Sequence, residues 1–246
     1  MPQIDLDSEL LEYIVRESFQ PGARLPTINE LQDEQHLGIG ISKVREQLEV
    51  ARALGLVEVR SKTGMRMKAY SFTPAVRLSL FFALAQDQHN FELFNQVRQQ
   101  IEIGFWHDAC RTLTDEDKAL MRRCVESAAA KLNGQPIRIP NEEHRTFHLT
   151  IYRRLGNPFV MGVLEAYWDA YDAVELNRYA DYSYLQQVWD FHARILRAIE
   201  EGDFDKAKTL LVQHLDLIHY QPRMQDLHRT HEPGVNGATT DSSTET

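Results

Sequence analysis

Apolar and polar residues alternate with a period of two in one short region of this 246-residue chain, residues 56–68, and not after Pro74. Leu56-Val57-Glu58-Val59-Arg60 and Met65-Arg66-Met67-Lys68 read as two strands, with Ser61-Lys62-Thr63-Gly64 as the turn between them. A lone two-stranded hairpin is at best marginally stable. Helices must therefore supply the core, and the fold class is mainly α.

Helical spacing appears on both sides of the hairpin. Leu10, Leu11, Ile14, Val15 and Phe19 share one face over residues 7–19, and Pro21-Gly22 breaks that pattern. Thr27 can cap a short second helix, with Glu30 at the capping-box position. Gly38-Ile39-Gly40 makes a turn. A third helix runs from about Ser42 to Leu54, with Val44, Leu48, Ala51 and Leu54 inward and Gly55 as its stop. Three helices and a β-hairpin wing within residues 1–70 are the order of a winged helix-turn-helix. Residues 71–74, Ser71-Phe72-Thr73-Pro74, read as a linker. Seven helical stretches follow, at about 75–87, 91–112, 115–132, 141–155, 158–177, 184–200 and 204–220. They predict an all-α bundle of six or seven helices over 75–222. Residues 223–246 have no apolar period and read as a disordered tail.

The formal net charge of −9 argues against a nucleic-acid partner only if charge is spread evenly. It is not. Residues 41–70 hold seven basic residues (Lys43, Arg45, Arg52, Arg60, Lys62, Arg66, Lys68) against three acidic ones (Glu46, Glu49, Glu58). Phosphate contact depends on such a local patch. No apolar run approaches the roughly 20 residues that span a bilayer, and the first residues lack the basic and apolar regions of a secretory signal. A cytoplasmic protein without membrane contact is expected, and Cys110 and Cys124 read as reduced core thiols.

The first 70 residues resemble the GntR family of transcription regulators. The resemblance rests on Pro21-Gly22-Ala23-Arg24-Leu25-Pro26, Glu30-Leu31, Leu37-Gly38-Ile39, Val44-Arg45-Glu46-Gln47-Leu48, Leu54-Gly55-Leu56-Val57 and Gly64, in that order. It implies that the third helix enters the major groove of double-stranded operator DNA and that the wing reaches the minor groove or backbone. Ser42, Lys43 and Arg45 stand at the start of that helix, where side chains meet bases and phosphates. An Arg can fork onto a guanine and a Lys can hold a phosphate. An ion pair of Arg45 with a nearby Glu is the competing reading. Lys62, Thr63, Gly64 and Arg66 fall on the wing, and Asn29 occupies a second-helix position where relatives carry an Arg toward DNA. The chain departs from the family pattern at Gly40-Ile41, where Ser or Thr then Arg is usual, and at Ile28, where Glu is usual. One such motif per chain implies a homodimer that reads two half-sites.

Residues 75–220 resemble the helical effector domain (FCD type) of the FadR subfamily. The matching stretches are Arg98-Gln99-Gln100-Ile101-Glu102, Phe147-His148 with Gly156-Asn157-Pro158, His192-Ala193-Arg194-Ile195-Leu196-Arg197-Ala198-Ile199 with Gly202-Asp203, and His214-Leu215. Many members hold a metal with one Asp and three His. Here His148, His192 and His214 match the histidines, and His144 occupies the Asp position. His144 and His148, four apart, share a helix face. Four imidazoles favour a divalent transition ion such as Zn, Ni or Cu over Mg or Ca, with Zn or Ni expected. Glu142 or Glu143 could replace His144 as a ligand if the helix is rotated. His89, His107, His219, His228 and His231 are not expected to take part.

The resemblance further implies a small carboxylate effector at the metal. Arg98 could pair with it, or be taken up by Glu102 at i+4. Tyr152, Tyr167, Trp168, Tyr171 and Trp189 could line a pocket or simply pack the core. A metal-free bundle around a larger acyl ligand is the alternative form of the same regulator. No dedicated catalytic motif is present, so an enzyme is not expected.

Overall fold

A computed structural model describes residues 4–60, 64–174 and 181–217. The N-terminal half contains α1 (Glu9–Arg16), α2 (Ile28–Gln32), α3 (Ile41–Ala53), β1 (Val57–Arg60) and β2 (Gly64–Met67). Ser8 caps α1 by accepting from the Leu11 N–H. At α2, Thr27 and Glu30 form the expected reciprocal box. Leu10, Tyr13 and Ile14 from α1, Leu31 from α2, Val44, Leu48 and Ala51 from α3, and Val57 and Met65 from the hairpin close one core. Gln47 fastens α1 to α3: its Oε1 accepts from the Leu10 N–H at 2.9 Å and its Nε2 donates to Glu9. The strands are antiparallel, with Val57 opposite Met67 and Arg60 opposite Gly64. The stretch after Pro21 adds an edge to this hairpin. Gly22 N–H donates to Met67 O at 2.8 Å, and Leu25 N–H to Met65 O at 3.0 Å. Lys62, Thr63 and the tail lie outside the described residues.

The second half is helical throughout its described part: α4 (Thr73–Gln86), α5 (Asn90–Gly104), α6 (Trp106–Thr112), α7 (Asp115–Leu132), α8 (Asn141–Tyr152), α9 (Pro158–Ala173), α10 (Tyr182–Glu200) and α11 (Phe204–Leu215). Two expectations on boundaries change. The stretch 91–112 is two helices, because Phe105 (φ −93°, ψ 5°) leaves the helical conformation. The bend turns Trp106, Ala109 and Cys110 into the core, where Trp106 Nε1 donates to Phe204 O at 2.9 Å. The second change concerns Thr73 and Pro74, read as linker, which form the first turn of α4. Proline is tolerated there because the first-turn N–H groups have no intrahelical partner.

One apolar cluster runs through α6 to α11. A second joins Leu80 and Leu84 of α4 and Phe91 of α5 to Tyr167, Trp168, Ala170 and Tyr171 of α9. Cys110 and Cys124 are buried and unpaired. Burial pushes their thiols up to about 12 and about 11, so both are inert at neutral pH. Asp117 in the first turn of α7 is fully buried. It closes a capping box with Thr114 and binds Arg153 and Arg154 from the end of α8. No helix among the described residues is long and apolar enough to cross a membrane.

Candidate metal centre and DNA interface

Helices α8, α10 and α11 carry four imidazoles to one point. His144 and His148 lie one turn apart on the inner face of α8, His192 comes from the middle of α10, and His214 from the last turn of α11. All four rings are 0–2 % exposed. One ligand atom of each lies within 4.8 Å of the others. The Nε2 of His148 is 3.2 Å from Nε2 of His192 and 3.2 Å from Nε2 of His214.

The outer nitrogens decide what the inner ones can do. His192 Nδ1 lies 2.6 Å from Val188 O, an acceptor only, so Nδ1 holds the proton and Nε2 presents a lone pair. His148 Nδ1 lies 3.2 Å from the Glu102 carboxylate, which can only accept, and 3.2 Å from Arg98 Nη2, which can only donate. His148 Nε2 stands 3.2 Å from the lone pair of His192 Nε2 in a fully buried interior, a separation that one shared cation accommodates. Two nitrogens each about 2.0–2.1 Å from one ion are roughly 3–3.4 Å apart. Buried His144 Nε2 and His214 Nδ1 have no hydrogen-bond partner among the described residues. The residues present fit a transition ion.

The charges around the rings are buried as well. Arg98 and Glu102, both 0 % exposed, pair at 3.1 Å. Arg98 Nη2 also lies 3.2 Å from His148 Nδ1, and its guanidinium sits 4.6 Å from the Tyr167 ring centroid. Burial works against both charges, yet each holds the other ionised. Glu102 keeps Arg98 above its ordinary pKa, and Arg98, then His148, keep Glu102 below its own. Burial followed by the neighbouring imidazoles drives His144 and His214 well below the usual histidine range. Burial and then His148 do the same to His192. His148 is lowered by burial and partly restored by Glu102. These are the neutral imidazoles that metal ligation requires.

Arg98 is therefore engaged by Glu102, as the competing reading had it. Glu143 is directed at α7, where it accepts from Ser127 at 2.8 Å and pairs with Lys131 at 2.6 Å, and Glu142 is exposed; neither stands in for His144. Trp168 and Tyr171 do flank the rings, 4.7 Å and 5.7 Å from His144, whereas Tyr167 stacks on Phe91 at 5.3 Å. Trp189 stacks on His192 at 4.6 Å, while Tyr152 donates its hydroxyl to Glu102 O at 2.9 Å.

On the other half, Asn29, Ser42, Lys43 and Arg45 are exposed on α2 and the start of α3. Arg45 has no ion pair among the described residues, but Lys43 is paired with Glu9 of α1. Gly40 caps α3 without a side chain, which agrees with the missing Ser or Thr at the turn. Arg66 donates to Gly22 O at 2.7 Å, which ties its guanidinium to the hairpin edge. The exposed Arg24 lies beside Gly64 at the turn end of β2, and its bridge to Arg66 brings it there. In the sequence Arg24 figures only within the Pro21–Pro26 resemblance, with no role of its own, because three residues are too few to announce a strand.

The profile of the FCD domain matches residues 94–217, from α5 to the end of α11. A solved Streptococcus agalactiae GntR has the same fold, with a TM-score of 0.61 at 21 % identity over 85 % of this chain and 94 % of that one. This chain belongs to the GntR family. Its FCD domain contains all four histidines. The chain is 26 % identical over 220 residues to the Uxu operon transcriptional regulator of Escherichia coli (strain K12), covering 87 % of this chain and 84 % of the relative. It is 25 % identical over 224 residues to the HTH-type transcriptional repressor NanR of Enterobacter sp. (strain 638), covering 87 % and 82 %.

Proposed function

We propose that this GntR-family protein is a DNA-binding transcription regulator whose operator affinity is set by a small organic acid bound in its FCD domain. The functional halves divide between the end of β2 and the start of α4. His144, His148, His192 and His214 hold one divalent transition ion, Zn or Ni, and that ion supplies a Lewis-acidic point for a carboxylate. The observation that carries this reading is the convergence of four buried imidazoles from three helices, one ligand atom of each within 4.8 Å of the others. Arg98 supplies the positive group beside the rings. A carboxylate effector shares it with Glu102, a competition that a neutral or cationic ligand could not enter. An acyl chain suits this site poorly, because it would leave four imidazoles and an ion pair without polar partners.

Arg45, Ser42, Lys43 and Asn29 face the operator from α2 and α3, and Gly64, Arg66, Lys62 and Thr63 form the wing contact. The named relatives are themselves transcriptional regulators, which supports sensing rather than turnover as the task of the bundle. Elemental analysis of protein purified without a histidine tag tests the site. One transition ion per chain is expected, lost in His192→Ala and His214→Ala. Metal-free protein that binds carboxylates and responds on DNA like the loaded form would reduce the ion to a structural part. Stoichiometric metal in all four His→Ala variants would move the site elsewhere.

A further inference from the structure

Helix α9 has two occupied faces, and they belong to different halves of the protein. One face carries Trp168 and Tyr171 against the histidine rings. The opposite stripe is Phe159, Gly162, Glu165 and Asp169, and each of its members touches the linker or α4. Tyr70 and Phe72 pack edge-on against Phe159, with centroids at 6.1 and 5.3 Å. At Gly162 a Cβ would lie 2.6 Å from Phe72 Cβ and 2.9 Å from the Thr73 nitrogen, so the linker backbone rests directly on the helix. Thr73 Oγ1 donates to the Glu165 carboxylate and itself accepts from Ser71. Asp169 pairs with Arg77 of α4 at 3.1 Å and with Arg145 of α8 at 2.7 Å; Arg145 adjoins His144.

The far end of this contact reaches the recognition helix. Pro74 follows Thr73, and its ring lies on Gly55, the residue after the C-cap of α3. A Cβ on Gly55 would sit 2.5 Å from Pro74 Cγ. Residues 72–74 are thus held between Gly162 and Gly55, with a side chain at neither surface to cushion a shift. Close-packed contacts of this kind pass displacement on because they cannot absorb it.

We propose that α9 couples the histidine site to the DNA-reading helix, and that Phe159, Gly162, Glu165 and Asp169 form the seat through which the linker reads it. The proposal rests on the metal and effector site argued above. Movement of Trp168 and Tyr171 as the rings reorganise turns or shifts α9, and the stripe on its other side carries Phe72 to Pro74, and with them the end of α3.

Deuterium exchange of the full-length chain, followed by mass spectrometry with and without zinc ion, tests it. In the native protein zinc should slow exchange in α8, α10 and α11. It should also change exchange in residues 70–76 and α3 by roughly fivefold or more, the lower end of ordinary allosteric coupling. Gly162→Ala keeps α9 a good helix former but lifts the linker off its seat, and Thr73→Val removes the bond to Glu165 at constant shape. Both variants should keep the response in the three histidine helices and lose the one in α3. An undiminished α3 response in both variants overturns the proposal. So does native protein in which zinc protects the histidine helices while residues 70–76 and α3 do not change. Zinc without effect on any helix sinks the metal site alone. His144→Ala then supplies the disturbance in its place: α3 exchange must change in that variant and must match Gly162→Ala in the double variant. No change in α3 overturns the seat.

Discussion

Glu102 serves two partners with one carboxylate. It neutralises Arg98 at 3.1 Å and lies 3.2 Å from His148 Nδ1, both within a fully buried interior. Glu102→Gln removes the charge at constant shape and leaves a guanidinium unpaired, which costs about 3–5 kcal/mol. The same change should weaken metal affinity roughly 10–100-fold, the usual effect of losing a histidine's outer partner. Chemical denaturation and metal titration of the variant check the two figures, and native-like melting would refute the buried pair. The imidazoles also set a pH dependence. Their folded-state pKa values lie below the unfolded value of about 6.5, so below that pH the unfolded chain binds more protons. Stability should be level above about pH 6.5 and fall as pH drops below it. Denaturant melts from pH 8 to 5 measure the slope, and His144→Ala should flatten it; equal slopes would mean that ring stays exposed to protons. The residue types of this centre were legible in the sequence through the spacing of His144 and His148 and the resemblance around His192 and His214. The approach of Glu102 to His148 was not, because it joins residues from two helices and no local period records it.

At the scale of elements, α3 and its surroundings carry the DNA prediction. Arg45→Ala should cost discrimination of about 1–3 kcal/mol at one base pair if the side chain forks onto guanine. Binding assays against single-base operator variants check this, and unchanged discrimination with native helicity would remove α3 from the groove. Lys43 is restrained by Glu9. Glu9→Gln should free it, strengthen binding on all sequences and steepen the salt dependence by about one phosphate contact. Affinity measured across salt concentrations decides; an unchanged slope would show that Lys43 never reaches the backbone. Most element boundaries could be read because caps and breakers announce them, as at Thr27, Gly55, Pro140 and Asn157. The break between α5 and α6 could not. A one-residue departure at Phe105 keeps apolar residues on the inside before and after it, so the pattern runs through the bend. The start of α4 at Thr73 was hidden for a related reason, since Pro74 marks a linker and a first helical turn equally well.

The whole molecule divides its charge. A chain of −9 keeps one basic stretch, residues 41–70, and repulsion between the acidic remainder and DNA should orient that stretch toward the duplex. Two copies are expected on one operator, because each chain brings a single recognition helix. Light scattering at micromolar concentration with and without DNA tests this, and a monomer in both conditions would refute it. The mainly helical architecture and the order of its two halves followed from the hairpin's isolation and the helical periods after it. The seat of the linker on α9 did not, since Gly162 and Glu165 stand on the outward face of a helix whose pattern records only the inward one. The sealing of the four imidazoles, none more than 2 % exposed, has a consequence in time. A solute cannot collide with these rings; it must wait for the helices to part. Where capture outpaces reclosing, arrival and departure follow the opening rate of the bundle and not the concentration outside. Such a sensor averages over brief fluctuations in its surroundings and holds its last state after the signal has gone.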